Sequence, residues 1–279
     1  MDKQIVSYKD LGIIDYKTAW DYQESLLQEN VKIKAAKVQN AIAGAQDSLV
    51  NQASTNEENG IVTIEALSAT DTLNAVTTTS YFLVCEHPPV YTIGKSGHIE
   101  NMLISEMEMD QKGVGFYRTN RGGDITFHGP GQIVGYPIID LEKFYTDIGR
   151  YLRELEEVII RTLREYGIHG ERSKGETGVW IEPSVPGKER KICAIGVRCS
   201  RWITMHGFAL NVKTDLGYFN NIIPCGIENK QVTSICKELQ RKVDIDEVKE
   251  KLQRNFEAVF NVKLSYDDKF QKDLLDPKL

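Results

Sequence analysis

Apolar positions fall unevenly along the chain, and their spacing predicts its elements. Over residues 15–29 (DYKTAWDYQESLLQE), Ala19, Tyr22 and Leu26 recur at three- and four-residue steps, which predicts an amphipathic helix with Asp15 as its cap. Residues 30–75 lose this pattern and are rich in Ala, Asn, Gln, Ser and Thr, so the spacing predicts a flexible polar insertion with at most marginal helix in its first half. The chain turns apolar at 80–94 (SYFLVCEHPPVYTIG). Residues 81–85 suit a buried strand, ended by Pro88 and Pro89, which cannot donate to a ladder. Residues 113–139 mix strand-like runs with Gly and Pro, the mark of tight turns and close backbone approach. Residues 146–166 carry the clearest helical stripe: Leu152, Leu155, Ile159, Ile160 and Leu163, with Thr146 as cap and Gly167 as stop. Strands follow at 191–198 (KICAIGVR) and 202–212 (WITMHGFALNV). A last helix over 244–260 has Val248, Leu252, Phe256 and Val259 on one side. This order predicts one α+β domain spanning 1–279, with helices packed on a mixed, largely antiparallel sheet.

Bulk properties narrow the class. The 279 residues are 41% apolar and 27% charged, as in ordinary globular chains. No run approaches the roughly 18 apolar residues of a membrane span. The opening MDKQIVSYKD has charges where a secretory leader is apolar, so a cytoplasmic protein is expected. A net charge of −6 argues against a general nucleic-acid binder, and neither nucleic acid nor membrane is an expected partner. Arg118, Arg121, Lys188, Arg190, Lys191, Arg198 and Arg201 nevertheless fall in or near the Gly-rich and Cys-bearing stretches, as solvated surface charge or as a docking field for an acidic partner.

Candidate chemistry is confined to a few positions. Five cysteines (Cys85, Cys193, Cys199, Cys225 and Cys236) form no C-x-x-C, which argues against a disulfide framework and a zinc site. Cys225 sits between Pro224 and Gly226, a setting that presents a thiol rather than packing it. Cys193 is its rival, two residues from Lys191 and so on the same strand face, but in an apolar run. Lys191 opens that run. It is either a lysine at the strand's exposed end or one partly drawn out of water, placed to exchange protons with a thiol and an amine. Residues 121–132 (RGGDITFHGPGQ) describe a backbone folded against something, without the phosphate-loop pattern. His128 and His206 are open as bases, hydrogen-bond donors or structural residues, and a Cys/His couple is as admissible as Cys/Lys.

At these residues the chain resembles the lipoyl(octanoyl) transferases. EHPPVYTIG at 86–94, RGGDITFHGPGQ at 121–132, KICAIGVR at 191–198, HGFALNV at 206–212 and PCGI at 224–227 match in order, and LGIIDYKTAWDYQ adds the first strand and helix. The long polar insertion departs from the family. The resemblance implies a biotin/lipoate protein ligase-like fold and no cofactor or metal. It implies transfer of octanoyl from octanoyl-acyl carrier protein to a lysine of lipoyl domains, those of 2-oxoacid dehydrogenases or of glycine cleavage H protein. By motif position Cys225 is the implied thioester nucleophile and Lys191 the lysine beside it. Arg121, Gly122, Gly123, Asp124, Ile125, Thr126, Phe127, His128, Ala194, Ile195, Gly196, Gly207, Phe208 and Ala209 are the implied pocket, with His206 orienting. Three alternatives compete: an ATP-dependent lipoate or biotin ligase on the same fold, an amidotransferase between carrier proteins, and a non-catalytic acyl-carrier-binding module.

Overall fold

The structure, a computed structural model, describes residues 3–53, 77–223 and 231–266. Among them a nine-stranded mixed sheet forms the centre. Its strands are β1 (Gln4–Ile13), β2 (Ser80–Glu86), β6 (Gln132–Ile138), β7 (Glu171–Arg172), β8 (Val179–Ile181), β9 (Arg190–Ser200), β10 (Ile203–Asn211), β11 (Gln231–Val232) and β12 (Val262–Tyr266). Their order is β12-β1-β2-β6-β10-β9-β8-β7, with β11 also on β9. β1 runs parallel to β12 and β2, and β11 parallel to β9; the remaining pairs are antiparallel. A second sheet, β4-β3-β5, comprises β3 (Val90–Ile93), β4 (Gly115–Arg118) and β5 (Ile125–His128).

Helix α1 (Tyr16–Ala53) covers one face of the main sheet, burying Ala19, Leu26 and Leu27 against Leu83, Val134, Ile203 and Met205. Two helices cover the other. α3 (Ile148–Arg164) buries Leu155, Val158, Ile159 and Leu163 completely, and α5 (Ile245–Phe260) buries Val248, Leu252 and Phe256. Phe256 stacks on Phe82 of β2 with centroids 4.2 Å apart. Short helices α2 (Glu106–Gln111) and α4 (Ile235–Leu239) complete the description.

Two expectations need correction. The first helix does not stop near residue 29 but runs to Ala53, through the first half of the expected flexible insertion. Its Ala- and Lys-rich stretch has high helix propensity. Tertiary contacts also hold it: Asn30 donates to Thr79 O at 2.7 Å, and Lys34 pairs with Asp140 at 2.5 Å and Glu142 at 3.0 Å. The rest of the insertion, from 54, lies outside the described residues apart from its neighbours after 76. The cap of α3 is Asp147, whose Oδ1 accepts from the Arg150 N–H at 2.9 Å, and not Thr146; the carboxylate also suits the positive end of the helix.

Candidate active site

Between the two sheets lies a cavity of about 840 Å³, in the size range of small-molecule sites. Glycines make its floor. Gly196 of β9 and Gly207 of β10 face each other, and Gly207 lies so close to β6 that a Cβ would come within 2.2 Å of Gly135 O. A Cβ on Gly196 would meet Gly122 O at 2.8 Å. The turn at 121–124 therefore rests directly on the sheet, with Gly122 N–H donating to Val197 O at 2.9 Å.

That turn is tied from within. The Arg121 guanidinium, nearly buried, donates to Thr92 O and Oγ1, both at 2.8 Å, and to Gly122 O at 3.0 Å. Asp124 accepts from the His98 N–H at 3.2 Å and from Asn101 Nδ2 at 2.6 Å. Asn101 O in turn accepts from the Ile223 N–H at 2.8 Å, so the turn, the cavity lip and the strand-like end at 222–223 form one hydrogen-bonded unit.

The buried polar wall continues from Thr92. His128 Nε2 lies 3.3 Å from Thr92 Oγ1, and its Nδ1 lies 2.8 Å from Gln132 Oε1. Gln132 donates to Asn211 Oδ1 at 2.9 Å, and Asn211 donates to Thr233 O at 3.0 Å. Thr233 N–H donates to Lys191 O at 2.9 Å, so the network ends on the strand that carries the lysine. Burial, reinforced by His87 and Arg121, pushes His128 down to about 3; burial, with Arg121 next, pushes His206 down to about 3. Both are neutral near pH 7 and poorly suited to act as bases there. His206 adopts φ 60°, with its N–H bonded to Gln23 on α1 at 3.1 Å and Nε2 2.7 Å from Asn120 Oδ1. Its buried Nδ1 has no hydrogen-bond partner among the described residues.

Lys191 reaches this cavity through a bulge. Trp180 pairs with Lys191 and Val179 with Cys193, leaving Ile192 as an extra residue on β9. Ile192 and Cys193 are both fully buried in the α3–α5 core, whereas Lys191 and Ala194 on either side line the cavity. Simple alternation, which places Lys191 and Cys193 on one face, is broken by this extra residue. Lys191 Nζ stands 4.6 Å from the centroid of the Trp180 ring, a cation–π contact. Burial pushes the Cys193 thiol up, and also that of Cys85, so neither is an available nucleophile. Cys225 lies outside the described residues.

The comparisons with known proteins agree with one another. The family model described as Lipoyl protein ligase A/B catalytic domain matches residues 15–257. The octanoyltransferase of Christiangramia forsetii is 51% identical over 267 residues, 95% of this chain and 100% of its own. That of Flavobacterium psychrophilum is 52% identical over 257 residues, 92% and 97% of the two chains. The chain belongs to the octanoyltransferase family. It is an acyltransferase. Among solved structures, lipoate-protein ligase A bound with ATP has a TM-score of 0.58 at 15% identity, covering 96% of this chain and 89% of that one. The bipartite lipoate protein ligase of Thermoplasma acidophilum gives 0.57 at 17%, covering 96% and 87%. These likenesses identify the lipoate/biotin protein ligase-like fold.

In the transferase, the implied pocket residues Arg121, Gly122, Gly123, Asp124, Ile125, Thr126, His128, Ala194, Ile195, Gly196, Gly207, Phe208 and Ala209 all line the cavity, as do Lys191 and His206. Phe127 does not. It points into the small-sheet core, stacked on Tyr218 with centroids 4.5 Å apart. Two of the basic residues are committed elsewhere than to a docking field: Arg190 pairs with Glu182 and Glu238, and Arg198 with Glu24. The sequence reading missed Tyr16, Tyr136, Gln132 and Asn211 as wall residues. Gln132 and Asn211 bound apolar runs, and a polar group at such a place was the available signal. Nothing local marks the tyrosines. No described helix is long and apolar enough to cross a membrane.

Proposed function

We propose that the protein, acting in the cytoplasm as a single catalytic domain, moves octanoyl from octanoyl-acyl carrier protein to a lysine of lipoyl domains through a thioester on Cys225. The observation that carries the reading is the β9 bulge, which sends Lys191 alone of its neighbours Ile192 and Cys193 into the cavity. The described residues on either side of the 224–230 stretch support it. Ile223 is bonded to the cavity residue Asn101, and Val232 pairs with Lys191 itself. Two peptide steps separate Cys225 from Ile223, at most about 7–8 Å of chain.

Lys191 takes the Cys225 proton, and the thiolate attacks the octanoyl carbonyl. Backbone N–H groups of the 194–196 and 207–209 stretches hold the negative oxygen of the tetrahedral intermediate. The carrier thiolate leaves and is protonated from Lys191. The acceptor amine then attacks the Cys225 thioester, gives its proton to Lys191, and an amide forms as the cysteine is expelled. One thioester replaces another in the first step, and amide formation drives the second, so no nucleotide is needed. Two half-reactions on one nucleophile give ping-pong kinetics. Intact mass spectrometry after mixing with octanoyl-acyl carrier protein tests this. The expected result is an octanoyl adduct mapping to Cys225, absent from Cys225→Ala and retained in Cys193→Ala. Turnover without an adduct, dependent on ATP, refutes the route in favour of a ligase.

A further inference from the structure

The cavity has one lip that is apolar on the outside. Ile99, Leu103 and Met107 are 42%, 58% and 70% exposed, within nine consecutive residues. Their neighbours Ile104 and Met109 face inward and are buried in the small-sheet core, so the segment already packs its inner side. The outward trio contributes nothing to that packing.

This lip belongs to the cavity wall. His98 and Asn101 line the cavity, Met102 bridges to Ile222, and Leu103 N–H donates to Asn221 O at 2.9 Å. The lip therefore lies alongside the chain at 221–223 that leads to Cys225. Its charge is one-sided. Glu100, Glu106, Glu108 and Asp110 are exposed, and Lys112 is the one cation of residues 99–112. None of the four carboxylates forms an ion pair among the described residues. Glu108 instead completes the capping box with Ser105.

An apolar centre with a charged rim is the composition of a protein–protein contact. Four carboxylates beside one ammonium attract a cationic group and repel an anionic one. Of the two reactants, the acceptor alone presents a cation at its reacting end, the lysine to be acylated. We infer that the lip formed by Ile99, Leu103 and Met107 with Glu100, Glu106 and Asp110 docks the lysine-bearing acceptor domain rather than the acyl donor. The inference rests on the acceptor assignment above.

The test is a binding titration of full-length enzyme, with a lipoyl domain and with acyl carrier protein in separate arms. Leu103→Asp/Met107→Asp is expected to weaken the lipoyl domain at least tenfold and to leave the carrier within twofold. Glu106→Lys/Asp110→Lys is expected to weaken the lipoyl domain as well and to flatten its dependence on salt. Circular dichroism must superimpose on wild type, and lining residues Lys191 and His128 are left untouched. Unchanged lipoyl-domain affinity in both variants overturns the inference. So does a loss confined to the carrier, which makes the lip a donor site, or a gain in self-association of the wild type that the variants abolish, which makes it a contact between copies. Failure of the acceptor assignment reads differently: the wild-type enzyme then neither binds nor acylates the lipoyl domain.

Discussion

Glu156 of α3 accepts a hydrogen bond from the Gly178 N–H at 3.0 Å, although its side chain is completely buried. Its other oxygen takes Arg153 at 2.7 Å and Arg172 at 3.1 Å. Gly178 in turn borders the lysine: a Cβ there would sit 2.5 Å from Cys193 O and 3.7 Å from Lys191 Cε. Glu156 thus fixes the turn that walls Lys191. Glu156→Ala leaves the Gly178 N–H without an acceptor while both arginines turn to water, a loss of about 2–4 kcal/mol. Glu156→Gln keeps the acceptor and should cost less, about 1–2 kcal/mol. Denaturant titration of the two variants measures the difference. Equal loss in both makes the charge, and not the bond to Gly178, the important element.

The glycine floor predicts a sharp positional contrast. Gly207→Ala places a methyl 2.2 Å from the Gly135 oxygen and 2.7 Å from Pro137 Cδ in the centre of the sheet, where backbone and a proline ring leave little room to relax. Soluble expression should fail or the thermal midpoint fall by more than 10 °C, given several kcal/mol of overpacking and a lost sheet contact. Gly113→Ala meets nothing within 4 Å and carries only the strain of φ 62°. Its cost should be about 1 kcal/mol. If Gly207→Ala folds with an ordinary midpoint, strands β6 and β10 are less closely seated than described.

Three buried histidines set an acid limit. His87 is pushed down to about 4, and His128 and His206 to about 3, with burial the leading cause in each. In the unfolded chain they titrate near 6.5. Above that value both states are neutral and stability does not depend on them. As pH falls below 6.5 the unfolded chain takes up protons that the folded chain refuses, and stability drops until the folded values are reached near 3–4. Each histidine contributes ~1.4 kcal/mol per pH unit in that window. Unfolding at pH 5 should therefore take up close to three histidine protons, read from the slope of unfolding free energy between pH 5 and 6. His128→Gln should reduce the uptake by about one. A slope unchanged by this variant shows that His128 is already charged in the folded protein.

How much of this was legible depended on whether local pattern decided the outcome. The stripes at 146–166 and 244–260 became α3 and α5 because each buries one face, and an apolar stripe records that directly. The RGGDITFHG run was recognisable because Gly123 takes φ 85° and a Cβ on Gly129 would meet the Phe127 ring at 2.5 Å, needs recorded in the sequence as missing side chains. The helical reach of 30–53 has a local signal in its Ala- and Lys-rich composition, but no apolar stripe, and its anchors, Asn30 to Thr79 and Lys34 to Asp140, join residues 49 and 106 positions apart. The bulge at Ile192 was hidden for a similar reason. KICAIGV reads as a regular strand, and the extra residue exists only relative to the pairing with Val179 and Trp180 on β8.

Lys191 itself gives the last prediction. Its stem passes Gly178 and its head lies over Trp180, so a packing role and a proton-transfer role both explain its place. Lys191→Met keeps the stem and removes the ammonium. If the lysine carries protons, acyl-enzyme formation and acyl transfer should each slow by about 10²–10⁴, the usual contribution of a positioned acid/base. In Lys191→Ala, which leaves room where the stem ran, added small tertiary amines should then restore part of each rate, because they supply the missing proton acceptor and cannot themselves form a stable amide. A packing role predicts the reverse pattern: methionine fills the space over Trp180, the rates stay within a few-fold of wild type, and amines change nothing. Stopped mixing with octanoyl-acyl carrier protein, followed by mass spectrometry of the enzyme, separates the two. Rescue discriminates because a collapsed site admits no amine, whereas an intact site lacking only a base does.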